Sequence, residues 1–343
     1  MRRSLRQRPG FRPVDLSLTP LEAAGALRHL PDLVFFDSAG NLSSRQALSV
    51  VAARPRRVCS GSLWEADDLR REWAACRTDA PDCGFPLGAA CGWVDYDGQF
   101  RFGFFDDLLV YVHHQRQWFE VGSLVQELSP CSPSPLPSLA GWTSSFTRSG
   151  FEAAVGAAKE FIASGDIYQV NLSQRFEAPF DAEDDLFGLY ERLRSVSPAP
   201  MAAYLRSPER EILSSSPETF LRLHGRAIET RPIKGTRPRF ADPQRDSRSA
   251  FELQTSEKEI AELVMITDLE RNDLGQVCEF GSVKVTEMLK HERLEQVHHL
   301  VSAVTGQVRE SVDHIEALQA CFPGGSITGA PKKRAREIIA QLE

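Results

Sequence analysis

Between Met201 and Ile233 the chain reads as a meander of three or four short strands, turning at Ser207-Pro208-Glu209 and at His224-Gly225-Arg226. The meander ends in Ile228-Glu229-Thr230-Arg231-Pro232-Ile233-Lys234-Gly235-Thr236-Arg237-Pro238-Arg239. Two prolines there fix φ and bias their predecessors toward extended geometry, so one lysine is presented on a stiffened strand end. Gly235 lets the backbone approach a ligand closely, and Thr236 adds a hydroxyl. Arg231, Arg237 and Arg239 are expected to surround the lysine with positive charge, disfavouring its protonated form and suiting an anionic small molecule. Spacing alone leaves a solvated basic turn equally open.

At 343 residues the chain exceeds a typical single domain, so a large α+β unit or two coupled ones is expected. Hydrophobic content of 42% and charged content of 25% are ordinary for a globular protein with a sizeable core. A net charge of −7, with no basic helix interleaved with aromatics, argues against a nucleic-acid partner. Arg2, Arg3, Arg6, Arg8 and Arg12 have no apolar run behind them and read as a frayed tail rather than a secretory signal. Seven cysteines without a C-x-x-C pair fit reduced thiols, and no run reaches the ~18 apolar residues of a membrane span, so a cytoplasmic setting is expected.

Residues 1–128 read as a first region: strands at 33–38, 56–60, 89–96 and 107–113, a helix from Leu63 to Cys76, and a glycine-rich turn region between the last two strands. Residues 129–148 open with Ser129-Pro130-Cys131-Ser132-Pro133-Ser134-Pro135-Leu136-Pro137-Ser138, which cannot build a core and reads as a linker. A second region, 149–343, starts with a helix capped by Ser149 and ending at Gly165, then a strand from Asp166 to Phe176 and a helix from about Asp184 to Ser195.

One long helix is expected from Ser249 to Leu274, and it carries Glu259 and Glu262 on one face. Such a pair is a solvated edge or an economical way to hold a hard divalent cation. His298 and His299 adjoin on a strand and point to opposite faces, so at most one addresses a pocket. Gly324-Gly325-Ser326-Ile327-Thr328-Gly329-Ala330-Pro331-Lys332 is a loop-to-helix junction able to present N–H groups to an anion. It lacks the Lys-Ser/Thr pair of a triphosphate loop, and Glu295 breaks a zinc-protease reading of His291-Glu292. Ala335, Ile338, Ile339 and Leu342 are still in helical phase at Glu343, so a continuation beyond that residue is expected.

Seven motifs stand in order: Asp166 to Gln174, Ser215-Ser216-Pro217-Glu218, Arg231 to Thr236, Glu259 to Glu262, Asp268 to Leu274, His298 to Ser302, and Gly324 to Lys332. Together they resemble the chorismate-utilising enzymes, firmly from about residue 150 onward and faintly before, with aminodeoxychorismate synthase component I (the para-aminobenzoate synthase large subunit) as the most similar branch. The resemblance implies an α+β fold, an anthranilate synthase component I-like sandwich of antiparallel β-sheets with outer helices. Its two regions would be intertwined and the C-terminal part of the family domain missing.

It also implies roles. Lys234 stands where anthranilate synthases have alanine, and would be the nucleophile. Gln169 stands where the water-using isochorismate and salicylate synthases have a lysine base, so ammonia is the implied incoming group. Glu218 would be the acid and His299 would orient the substrate, with Gly235, Thr236, Gln169, Gly329 and Lys332 contacting it. Glu259 and Glu262 would hold Mg²⁺ together with a second pair of glutamates from beyond Glu343. The implied product is 4-amino-4-deoxychorismate, on the way to para-aminobenzoate and folate, with ammonia from a separate glutamine amidotransferase subunit. The strand with Phe36-Asp37-Ser38 falls where anthranilate synthases bind tryptophan. Two alternatives stay open: anthranilate synthase component I, and a truncated, inactive fragment acting at most as a binding subunit.

Overall fold

A computed structural model describes residues 10–39, 47–76, 83–130, 134–181 and 185–343. The arginine-rich start through Arg8, Cys131 to Pro133 of the linker, and Asp184 of one expected helix lie outside the described residues. The chain forms two compact units, Met1–Pro137 with Glu183–Pro217, and Ser138–Ala182 with Glu218–Glu343. Residues 183–217, grouped by the sequence with the second region, therefore belong to the first: strand Met201–Arg206 pairs with Val34–Asp37. Among the described residues all ladders between the strands are antiparallel, and with the helices they make an α+β fold as expected.

The first unit is built on a seven-stranded sheet in the order 11–14, 117–121, 108–112, 48–52, 34–37, 201–206, 211–216. Helices Pro20–Ala26 and Phe187–Val196 cover one face, where Phe35, Trp118, Phe187, Tyr190 and Tyr204 are buried. Against the other face lies a three-stranded sheet of 57–62, 99–105 and 89–94, through Cys91 and Phe105. The turn region expected between 96 and 107 is thus largely a strand. Phe100, Phe104 and Phe105 are buried along it, and aromatic burial outweighs the turn signal of its glycines. The expected helix over 63–76 is a short 3₁₀ turn, Leu63–Glu65, followed by helix Asp67–Ala75.

In the second unit, strand Val297–Gln307 is central. One of its sides pairs with Lys284–Arg293. The other side pairs with two segments in succession, Ala227–Arg231 and Ile233–Pro238, divided by Pro232. Proline has no N–H to give a ladder, yet the Pro232 carbonyl still accepts from Ser302 N at 3.1 Å, so the interruption costs little. Helices Pro243–Gln254 and Glu257–Val277 pack on this sheet. They replace the single helix expected from 249 to 274, because Ser256 turns out of the helix and its hydroxyl caps Glu259 N. The expected strand over 166–176 breaks into two short ones, Gln169–Val170, paired with Gly329–Ala330, and Phe176–Glu177, paired with Thr143–Ser144. Thr147, not Ser149, caps the helix Arg148–Ala163, accepting from Gly150 N at 3.1 Å.

Asp37 in the first unit is 3% exposed. It accepts from Arg194 Nε at 2.5 Å and, more weakly, from the Tyr190 and Ser49 hydroxyls at 3.4 Å. Removing the cation strands a buried carboxylate. Arg194→Met is expected to cost about 3 kcal/mol in urea denaturation. In an Asp37→Asn background the same change should cost clearly less, and equal costs would mean that the pair contributes nothing.

Candidate active site

The second unit brings Lys234, Glu218, Ser326, Asn171 and His299 together through one irregularity in its sheet. Lys234 pairs with Leu300 and Thr236 with His299, so Gly235 is an extra, unpaired residue in a β-bulge. Its φ of +75° lies in the left-handed region, and a Cβ there would meet Leu253 Cδ1 at 2.8 Å and Glu259 Oε2 at 3.1 Å. Glycine is therefore demanded by conformation and by the close approach of the helices Pro243–Gln254 and Glu257–Val277. The bulge re-aims the side chain before it.

Lys234 is partly buried, and its Nζ donates to the Ser326 carbonyl at 2.7 Å. The same carbonyl accepts from Asn171 Nδ2 at 3.1 Å. Ser326 also hydrogen-bonds Glu218 through its hydroxyl, and Glu218 Oε1 accepts from Ile233 N at 3.2 Å. One serine thus links an amine to a carboxyl group. Burial pushes the Lys234 amine below its usual range, against the pull of Glu218, Glu262 and Glu259. Burial likewise pushes Glu218 above the usual carboxylate range, against its hydrogen bonds and Lys234.

The arginines do not act as their positions in sequence suggested. Arg231 is held by Glu287 at 2.8 Å and Glu292 at 2.7 Å, Arg237 by Glu259 at 3.1 Å, and Arg239 by Asp246 at 2.8 Å. Each has its own carboxylates, so desolvation rather than arginine charge lowers the lysine. His299, 6% exposed, shares a hydrogen bond with the Thr236 hydroxyl at 3.1 Å, and burial lowers its pKa. His298 faces the other way and stands between His291 at 2.9 Å and Asp246 at 3.0 Å, as the strand alternation predicts.

Glu259 and Glu262 both act electrostatically on Lys234. Glu259 is engaged by Arg237, and Glu262 has Lys258 at 3.7 Å. No group of three or more metal-ligating side chains gathers among the described residues. The donor set fits a hard cation such as Mg²⁺ that keeps several waters, and falls short of a closed protein cage.

Gln169 and Gly329 sit on paired strands beside this loop. Gln169 Oε1 is buried without a hydrogen-bond partner. Gly329, at φ +139°, leaves no room for a Cβ, which would lie 2.2 Å from the Gln169 carbonyl oxygen. Lys332 differs from expectation: its Nζ is taken by Asp273 at 2.5 Å and the Cys321 carbonyl at 2.8 Å, so it anchors the loop.

Two residues of consequence carried no expected role. Glu270 is 4% exposed, accepts from Thr230 Oγ1 at 2.5 Å and from Gly325 N at 3.2 Å, and is raised to about 7, chiefly by burial. Asp273, one turn on, is also raised by burial. Their signal lay in the helix phase. Leu263, Ile266, Glu270, Leu274 and Val277 share the buried face, and an acid at such a position needs an explanation.

Residues 80–343 match the family of chorismate binding enzymes, and the chain belongs to that family. It is 45% identical over 232 residues to aminodeoxychorismate synthase component 1 of Escherichia coli (strain K12), covering 68% of this chain and 49% of that relative. To anthranilate synthase component 1 of Aquifex aeolicus it is 45% identical over 207 residues, covering 60% and 42%. The chain spans about half the length of these curated relatives. Its fold is that of the anthranilate synthase component I from Streptococcus pneumoniae TIGR4, with a TM-score of 0.75 and 25% identity over 88% of this chain and 78% of that one.

Gly235→Ala is expected to destabilise by about 2 to 3 kcal/mol, combining left-handed strain with the contacts at Leu253 and Glu259. Gly225→Ala, at φ +58° with open space around it, should cost about 1 kcal/mol. Equal losses in denaturant titrations would remove the steric argument.

Glu270 generates a pH-dependent prediction. A carboxyl raised on folding stabilises the native state below its unfolded pKa, and that stability is lost as pH rises through the folded value. The rise from 4.5 to about 7 corresponds to roughly 3 kcal/mol. Relative to Glu270→Gln, the wild type should therefore lose stability between about pH 4.5 and 8, and parallel stability profiles would contradict the burial account.

Proposed function

We propose that this chain carries the reacting centre of an enzyme of the aminodeoxychorismate synthase component I type, which aminates chorismate at C4. The observation that supports it best is Ser326 holding the Lys234 amine and the Glu218 carboxyl together, with burial moving both toward their neutral forms. A free lysine at neutral pH is almost wholly protonated, so an amine meant as a nucleophile needs this kind of environment. Relatives bearing that enzyme's name support the same reading.

In this reading the Lys234 amine forms a bond to ring C2. The ring electrons shift, the C4–O bond breaks, and the departing hydroxyl takes the Glu218 proton and leaves as water. Ammonia then bonds to C4 and the C2–N bond breaks, returning Lys234 as an amine. The Glu218 carboxylate recovers its proton from the new ammonium. The unpartnered Gln169 oxygen offers an acceptor to an N–H donor such as ammonia. His299 and Thr236 would orient the ring. Mg²⁺, beside Glu262 and Glu259, would supply positive charge for a substrate carboxylate. Ammonia would come from a separate glutamine amidotransferase subunit, and the product would feed para-aminobenzoate and folate synthesis.

The equal identity to an anthranilate synthase relative supports a second reading, formation of anthranilate, which Lys234 disfavours. Product analysis with chorismate, ammonia and Mg²⁺ separates the two, since anthranilate is fluorescent. Because the chain spans about half of its relatives, an inert fragment is the reading that complete absence of adduct and product would favour.

Intact-protein mass spectrometry should show a chorismate-derived adduct that Lys234→Ala abolishes, and Glu218→Gln should slow its formation by about 10²–10⁴-fold. The rate should follow a bell in pH. It falls on the acid side as the lysine becomes fixed as ammonium, with that limb above the ordinary range of a glutamate. It falls on the basic side as the acid is lost, with that limb below the ordinary range of a lysine. An undiminished rate in Lys234→Ala, without an adduct on the wild type, would refute the covalent step.

A further inference from the structure

We propose that Glu270 is a positioning residue, whose single carboxyl group ties the strand leading into Lys234 to the loop that receives the lysine amine. This rests on the reading of Lys234 as the reactive amine. Thr230, four residues before the lysine and 1% exposed, donates its hydroxyl to Glu270 Oε2 at 2.5 Å. Gly325 N, immediately before Ser326, donates to Oε1 at 3.2 Å. Two oxygens of one planar group thereby fix the two backbones between which the bond from Lys234 Nζ to the Ser326 carbonyl is made.

The loop is shaped to reach that group. A Cβ on Gly325 would lie 2.6 Å from Leu269 Cδ2, and one on Gly324 would lie 3.2 Å from Phe220 Cδ2. The same helix holds the loop's other end one turn later, where Asp273 takes Lys332 Nζ at 2.5 Å. The largest electrostatic influences on Glu270 are Asp273, Lys332 and Glu218, the Cys321 thiol lies within its field, and both of its carboxyl oxygens are engaged by Thr230 and Gly325. Glu270 therefore acts on the lysine through the loop rather than by direct proton exchange.

The two ends of the loop give an internal control. The amines of Lys234 and Lys332 can be labelled with trace acetic anhydride, completed with the deuterated reagent after denaturation, and read separately by peptide mass spectrometry. In Glu270→Ala, the acetylation rate of the neutral Lys234 amine, separated from its pKa by labelling across a pH series, should be about tenfold higher than in the wild type, the change that losing one buried hydrogen bond brings. Lys332, which keeps its contacts to Asp273 and the Cys321 carbonyl, should change far less than Lys234. Glu270→Gln should behave as wild type, because its amide can accept from Gly325 N and donate to Thr230.

An unchanged Lys234 in Glu270→Ala would overturn the proposal. So would acceleration of both lysines together, which would mark general loosening, or a Gln variant as fast as the Ala variant. If Glu270→Ala does not fold, Thr230→Val removes only the strand end of the tie at constant shape. It should speed Lys234 severalfold and leave Lys332 alone, and a silent Thr230→Val would sink the idea. The measurement uses no chorismate, so failure of the covalent chemistry and failure of the positioning role give separate results.

Discussion

Withdrawing a lysine amine from water onto a carbonyl oxygen, rather than onto a carboxylate, is the constraint that sets the second unit's geometry. A carboxylate in hydrogen-bond contact would hold the ammonium charged, whereas a peptide dipole satisfies the donor and compensates its lost hydration only in part. The Ser326 carbonyl must therefore come within 2.7 Å of Nζ while the carboxylates stay further off. That requirement accounts for the bulge at Gly235, which turns Lys234 toward the loop. It accounts equally for the paired glycines 324 and 325, which let the loop pass against Phe220 and Leu269.

Much of the fold was legible because it rests on local patterns. The strands between Met201 and Ile233, the paired strands around His298 and His299 and the last helix can be read from periodicity and capping chemistry, although the first of these divide between two sheets instead of forming one meander. The features that escaped depend on partners distant in sequence. Strand Gln99–Phe105 reads as a turn region until the strands on both its sides bury its phenylalanines. Residues 183–217 look continuous with the strands after residue 217, and only the ladder from Met201–Arg206 to Val34–Asp37 assigns them to the first unit. The helix break at Ser256 was missed because serine is tolerated within helices, so its preference for a cap shows only where a turn is also needed.

The site divides in a similar way. The lysine's place on a stiffened strand end, the shared helix face of Glu259 and Glu262, and the opposed histidines could be anticipated from spacing and alternation, whereas the nearness of the two glutamates to the lysine followed only from the family resemblance. The partner of the amine could not, because Ser326 acts through its carbonyl, and every residue has a carbonyl. Lys332 reads as a free cation until Asp273 is seen on it. Glu270 sat within a stretch noted as a motif without a role, though its position on the apolar face of the helix was available from the helical phase.

The arginines bear on chemistry by being neutralised. A nearby cation lowers the pKa of an amine and of a carboxyl alike, so unpaired charge at Arg231, Arg237 and Arg239 would help Lys234 lose its proton while stripping Glu218 of the one it needs. A nearby carboxylate has the opposite defect and raises both. Desolvation alone moves the two groups in opposite directions, the amine down and the acid up, because it penalises charge of either sign. With Glu287 and Glu292 on Arg231, Glu259 on Arg237 and Asp246 on Arg239, burial is left as the largest influence on both Lys234 and Glu218. A neutral amine beside a neutral acid carries the same number of protons as the ion pair. The arrangement therefore favours the reactive distribution of a proton already present, rather than requiring the site to gain or lose one.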